Sequence, residues 1–327
     1  MSTYLESLIV LAAILSLLTL GLNVRWGWAG EFDLAYYATV AMGAYFGSVV
    51  ILPKYSGPAH LGYILGLNQP FLVAMVAAGI LGGVASLIIG FFALRNLRGD
   101  YLSIATVAFA IVSWQVLAQD PNLFDGFNGV YGMPQPFESV LKLGPDAYAL
   151  FFFVMCVVLF LITYVILEML YRSPFGRTLR AIREDEYAAA AFGRNVFVNK
   201  LKAYVIGGVV AGVGGCLFAV YLADWNPYVW APIETFLIYG AIFIGGQANQ
   251  RGITLGAIIL LVTIPEVTRF MPNIPGHADL FPALRDILSA ILVILVLRFR
   301  PQGLIPEVHP RDPGDGQAAV AGSVANV

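Results

Sequence analysis

Apolar runs of up to about twenty residues follow one another along this chain, and most of its charge falls between them. A helix rises about 1.5 Å per residue, so roughly twenty residues cross the roughly 30 Å hydrocarbon layer of a bilayer. Nine such segments are read from the sequence, at about 5–24, 34–52, 71–93, 101–119, 148–170, 203–222, 233–248, 253–271 and 285–299. They do not alternate apolar with polar residues, so they do not read as β-barrel strands. The expected fold is all-α, a polytopic integral membrane protein with about eight to ten transmembrane helices and nine as the best count. Only 12% of the residues are charged, against about 25% in soluble domains, which leaves no sizeable soluble domain. One transmembrane domain is expected over 1–306, followed by a small, polar, disordered tail over 307–327.

Two stretches are open to more than one reading. Trp26 to Asp33 reads either as a loop or as a break within a helix, and 233–248 is short enough to be tilted or discontinuous. Glycines cluster at Gly79–Gly83 and Gly207–Gly215, where small residues let membrane helices approach closely. The N-terminus lacks a basic leader region, so the first apolar run is expected to be retained.

One polar island interrupts the pattern. Seven of the 18 Lys and Arg residues lie between Arg172 and Lys202, beside the consecutive acids Glu184, Asp185 and Glu186. Placing this island in the cytoplasm and alternating the spans puts 14 basic residues inside: Arg25, Arg95, Arg98, Arg172, Arg177, Arg180, Arg183, Arg194, Lys200, Lys202, Arg251, Arg298, Arg300 and Arg311. It leaves 4 outside: Lys54, Lys142, Arg269 and Arg285. Cytoplasmic loops are enriched in Lys and Arg, so this orientation is favoured, with the C-terminus inside and the N-terminus outside.

Within the island, Ser173 is positioned to cap a helix opening at Pro174. Arg177, Arg180 and Arg183 recur every three residues and lie near one face. Glu184, Asp185 and Glu186 then open a second short helix, where acids suit the positive helix end. Tyr187, Ala188, Ala189, Ala190, Ala191 and Phe192 follow, and Gly193 is placed as the left-handed stop. Such a helix is either a connector lying at the membrane surface or a knob that fits a groove on a cytoplasmic partner.

Little else points to chemistry. His60, His277 and His309 are far apart and read as solvated, so no metal site is expected. Cys156 and Cys216 sit in apolar runs and suggest no disulfide framework. No phosphate-binding GxxxxGK[ST] and no nucleophile with its base appears, so neither ATP binding through that loop nor catalysis is expected of the chain itself. Asp100, Glu168, Glu234 and Glu266 fall near helix ends. The lack of carboxylates near the bilayer centre argues against a proton- or sodium-driven carrier and for a neutral, zwitterionic or apolar solute.

Glu186 to Gly193 resembles the EAA-type coupling loop of ABC-importer permeases. Residues 176–219 around it resemble the permeases for branched-chain and other hydrophobic amino acids, LivM type. Four further stretches agree: Gly27-Trp28-Ala29-Gly30 through Gly43-Ala44-Tyr45, Leu97 to Thr106, the Asn128-Gly129 turn, and Arg300-Pro301-Gln302-Gly303-Leu304. The likeness spans about residues 15–305. The sequence departs from the family pattern at Glu31, where Gln is usual, and likewise at Asp33 (Ser), Tyr36 (His), Ile111 (Glu), Asp125 (Gly), Ala248 (Gly) and Ile253 (Pro).

The resemblance implies the permease domain of a bacterial plasma-membrane importer working by alternating access. Its implied partners are two cytoplasmic ATP-binding subunits carrying Mg-ATP, a related second permease subunit as a heterodimer, and an extracytoplasmic solute-binding protein. The chain itself would hold no cofactor, bind no nucleic acid and catalyse no reaction. The expected coupling contact is Glu184, Asp185, Glu186, Ala188, Ala189, Ala190, Ala191, Phe192 and Gly193, flanked by Arg180 and Arg183. Tyr36, Tyr37, Tyr101 and Asn128 are the candidates for the pathway. The competing readings are an ion-coupled secondary transporter and a passive channel for a small neutral solute such as urea.

Overall fold

The computed structural model describes residues 2–53, 65–97, 99–120, 124–137, 144–270 and 280–307. Lys54, His60, Arg98, Lys142, His277, His309, Arg311 and the 308–327 tail lie outside the described residues. Twelve helices are named here: α1 (Ser2–Asn23), α2 (Tyr36–Ile51), α3 (Phe71–Asn96), α4 (Asp100–Gln119), α5 (Pro145–Arg172), α6 (Pro174–Glu184), α7 (Glu186–Ala191), α8 (Val196–Leu222), α9 (Glu234–Gly245), α10 (Gln250–Ala257), α11 (Ile264–Arg269) and α12 (Leu280–Phe299). Every predicted apolar segment coincides with one of them, or with α10 and α11 joined. Among the described residues, strand pairing is limited to the isolated bridges Pro53–Leu67 and Val130–Trp225.

Six spans are long and apolar enough to cross a membrane: Tyr4–Trp28, Phe71–Arg95, Asp100–Gln119, Pro145–Arg172, Val196–Leu222 and Gln250–Arg269. The protein is therefore a multi-pass, all-α membrane protein. The helices α2 and α9 are apolar but shorter, at 16 and 12 residues, or about 24 and 18 Å of rise. The span Gln250–Arg269 is not regular. A π-helical stretch, Ile258–Thr263, joins α10 to α11. Pro265 explains the change: its ring would clash with the carbonyl four residues back, and it has no N–H to donate. Wider winding at that point relieves both.

The centre of the bundle is α8, which packs on α3, α2 and α1. Its glycines make this possible. A Cβ on Gly212 would sit 2.1 Å from the carbonyl oxygen of Ala78 on α3, and one on Gly215 would sit 2.1 Å from that of Val40 on α2. Close backbone approach of this kind is what small residues contribute in membrane interfaces. The outer helix α5 shows a different character: one side packs on the core through Cys156, Leu167 and half-buried residues such as Phe152 and Phe160, and the other leaves Val154, Leu161, Val165 and Met169 exposed.

The chain between α8 and α9 does not stay at the end of the bundle. Trp225 exchanges backbone hydrogen bonds with Val130 (2.9 and 3.0 Å) and packs edge-on against Tyr45 at 4.7 Å. Trp230 packs on Tyr37 at 6.2 Å and on Phe218 at 5.6 Å. Tyr45 and Tyr37 lie eight residues apart on α2, so this irregular stretch descends about 12 Å along it. The short α9 thus starts within the bundle. Irregular backbone at such depth is tolerated only where protein or a water-filled path surrounds it.

The two described chain ends lie at opposite ends of the bundle. Tyr4 donates to Glu266 of α11 (2.7 Å). Residues 303–307 reach the island instead: Leu304 and Ile305 donate to Ile244 and Gly245 carbonyls (2.8 and 3.0 Å), and Glu307 pairs with Arg183 at 2.7 Å. Opposite ends agree with an odd number of crossings.

Candidate functional site

The island folds into two helices joined at a corner. Ser173 stands at the N-cap position of α6 with Pro174 after it, but its hydroxyl donates back to Leu170 O (2.6 Å) and does not cap the helix. Glu184 completes α6 and does not open the next helix. The corner residue is Asp185, whose carboxylate accepts from the backbone N–H groups of Tyr187 (2.9 Å) and Ala188 (3.0 Å). That cap holds α7, a helix too short to persist unaided. Gly193 ends it at φ +77, with its N–H donated to Ala190 O (2.9 Å) and that of Arg194 to Ala189 O (3.1 Å).

From Glu184 to Asn195 the chain is exposed, except at Ala189. Tyr187 and Phe192 are 76% and 86% exposed, one at each end of the helix. Large aromatic groups at that exposure flank a smooth surface formed by Ala188, Ala190 and Ala191. Ala189 faces inward, so it is not part of this outer surface. Arg180 and Arg183 also turn inward. The Arg180 guanidinium lies 4.5 Å from the ring centroid of Tyr171. Arg183 donates to the Gly27 carbonyl and pairs with Glu307.

A second cluster lies under the island. Helix α1 widens into a π-helical turn, Val24–Trp28, and the chain then breaks over 29–35 before α2 begins. In the structure Trp26–Asp33 joins two separate helices, α1 and α2, with most of its residues buried in the bundle. Arg25 and Asp33 form an ion pair whose side chains are both fully buried. Arg25 also donates to the Ser86 hydroxyl, and its guanidinium carbon lies 5.0 Å from the ring centroids of both Tyr36 and Tyr204. The second carboxylate oxygen of Asp33 accepts from Ala35 N (2.9 Å).

The broken backbone is satisfied from several helices. Tyr239 of α9 accepts from Asp33 N (2.8 Å) and donates to Asp33 O (3.1 Å). Thr106 of α4 accepts from Leu34 N (3.1 Å), and Ser103 donates to Phe32 O (3.2 Å). Thr235, at the start of α9, donates to Leu34 O and accepts from Tyr37 N, both at 3.4 Å. Trp26, Phe32, Tyr239 and Phe243 stack around the turn, with centroids 4.4–6.3 Å apart. The break is thus a fixed junction of α1, α2, α4 and α9.

Glu31, in the same break, pairs with Lys200 of α8, and Lys200 also pairs with Glu186. Burial pushes the Glu31 carboxyl above the usual range, against the opposing pull of Lys200. Positive-inside counting places Arg25 and Lys200 with the cytoplasmic charges but says nothing of burial. Both basic residues are buried, and so are Asp33 and Glu31. The usable signal was there: opposite charges at 25 and 33, flanking glycines, in a chain with very few charges.

The four pathway candidates are not brought together. Tyr36 is fully buried and donates to Leu18 O (2.6 Å). Tyr37 is buried beside Trp230. Tyr101 is 72% exposed on the first turn of α4. Asn128 is exposed on the short 3₁₀ turn Gly126–Asn128, next to the Val130–Trp225 bridge.

The profile of the family described as branched-chain amino acid transport system / permease component matches residues 4–297. The chain belongs to this family. It is 29% identical over 321 residues to the high-affinity branched-chain amino acid transport system permease protein LivM of Escherichia coli (strain K12), covering 92% of this chain and 70% of that protein. To the probable branched-chain amino acid transport permease protein LivM of Methanocaldococcus jannaschii it is 27% identical over 240 residues, 72% of this chain and 68% of that one. It is also 25% identical over 313 residues to the E. coli (strain K12) permease LivH, covering 92% and 94%. No solved structure matches the chain.

In this permease, several of the unusual residues take up special positions. Asp33 and Tyr36 surround Arg25, and Glu31 holds Lys200. Asp125 and Ala248 stand where glycine is expected and adopt φ of +60 and +63. That left-handed region is costly for a residue with a side chain.

Proposed function

We propose that this chain is a translocating subunit of an ATP-driven importer for branched-chain amino acids or a closely related zwitterionic solute. The observation that carries the reading is α7: a capped, exposed helix with a smooth alanine surface between two exposed aromatic rings. It suits insertion into a groove on a cytoplasmic ATP-binding subunit, and Glu184, Asp185 and Glu186 orient it there. Mg-ATP belongs to that subunit, and this chain does no chemistry. A related permease completes the pathway, and an extracytoplasmic binding protein delivers the solute. The island and the C-terminus face the cytoplasm of a bacterial inner membrane. The irregular stretch between α8 and α9 is the part suited to rearrange between outward- and inward-open states.

The test is uptake of labelled leucine by liposomes holding the complete transporter, with binding protein outside and ATP inside. Uptake should require ATP, and Gly193→Pro should abolish it while the chain still inserts. Proline cannot adopt φ +77 and has no N–H for Ala190. Uptake that persists without ATP, in either direction, would establish a channel or an ion-coupled carrier instead.

A further inference from the structure

Lys200 joins two parts of the molecule that the sequence keeps far apart. It is the fifth residue of α8, and its side chain is 9% exposed. Its ammonium contacts Glu31 in the α1–α2 break and Glu186 at the start of α7. The two acids differ in freedom. Glu31 is 11% exposed and held in the buried junction, whereas Glu186 is 45% exposed and opens the projecting helix. A cleft of about 900 Å3 opens beside the three residues, with Arg95, Arg183 and Asp185 on its walls. The acid pair shares one cation, so any movement of α7 changes how Lys200 is divided between them.

Arg183 adds a second tether. It reaches from α6 to the Gly27 carbonyl in the π-helical turn. Gly30, at φ +78, passes so near that a Cβ there would lie 3.0 Å from Arg183 Cγ. The break is therefore gripped by one cation from the island and one from the foot of α8.

We propose that Lys200 is the positioning residue that transmits movement of α7 to the α1–α2 break, through its shared pairing with Glu186 and Glu31. The inference rests on the reading of α7 as the docking helix for an ATP-binding subunit. When α7 is displaced, Glu186 leaves the cleft and Lys200 settles wholly on Glu31. When α7 returns, the pairing is shared again. The junction that fixes α1, α2, α4 and α9 then feels a different electrostatic load in the two positions. The Lys200–Glu31 pair makes this effective, because both side chains are buried and little water screens them there.

The complete transporter in liposomes provides the test, with ATP hydrolysed per leucine taken up as the readout. K200M should raise that ratio about tenfold, within the 5–150-fold span typical of coupled sites, with the complex still assembled and hydrolysing ATP. K200R keeps the charge and should restore most of the coupling. A purely structural lysine would instead lower assembly and leave the ratio of the surviving complexes unchanged. If K200M does not assemble, E31Q decides, because it keeps the shape and leaves Lys200 paired with Glu186. A wild-type ratio in assembled K200M or E31Q overturns the proposal while the importer reading stands. Wild-type uptake that needs no ATP overturns both.

Discussion

Removing one partner of the buried Arg25–Asp33 pair should unfold this protein far more easily than removing both. In Asp33→Asn the guanidinium keeps Ser86 and the faces of Tyr36 and Tyr204 but loses its ion-pair partner. An orphaned buried charge costs about 3–5 kcal/mol. The two ring faces, worth about 1–2 kcal/mol each, are present in the wild type as well and so offset none of that cost. Arg25→Met creates the mirror problem, with a buried carboxylate left bonded to Ala35 N. The double variant R25M/D33N has no charge to strand. It should lose the Ser86 hydrogen bond, about 1 kcal/mol, and exchange the cation–ring contacts for methionine–ring contacts, a change shared with Arg25→Met, while the introduced amide oxygen still accepts from Ala35 N. A coupling energy of about 3 kcal/mol or more is therefore expected from the cycle. The free cysteines Cys156 and Cys216 are both buried, so a thiol-reactive fluorophore in a detergent thermal ramp reports their exposure directly. Each single variant should melt on the order of 10 °C lower, given about 2–4 °C per kcal/mol for domains of 150–250 residues. Single variants that melt with the wild type, or losses that simply add in the double, would refute the reasoning.

Other perturbations test other parts of the fold. Gly212→Val places a side chain 2.1 Å from the Ala78 carbonyl, so α3 and α8 must separate, and a loss of about 3 kcal/mol is expected in the same thermal assay. At Ala248, where φ is +63, Gly should be tolerated within about 1 kcal/mol. The β-branched A248V should instead be clearly destabilised in that ramp, because such side chains are strong outliers in the left-handed region.

The island was largely legible because its signals are local. Asp185 caps, four alanines follow, and Gly193 stops the helix, all within ten residues. What was not legible was orientation. The period of Arg177, Arg180 and Arg183 places them near one face but does not say whether that face meets the bundle or a partner. Tyr171, Gly27 and Glu307 decide that, and the last two are distant in sequence. The corner was also displaced, because three adjacent acids suit either a helix end or a helix start until Asp185 is seen capping α7.

Sequence alone determined that this chain lives in a membrane, that its helices pack through glycine, and which family it resembles. Each of these depends on composition, period or short spacing. Tertiary structure decided where its few charges go. Arg25 and Lys200 look like ordinary cytoplasmic basic residues along the chain, and positive-inside counting treats them so. Folding brings Asp33 to one and Glu31 with Glu186 to the other. A buried charge is tolerable only beside its partner, and which residues become partners depends on how a broken helix, a glycine-rich central helix and a projecting corner meet in space.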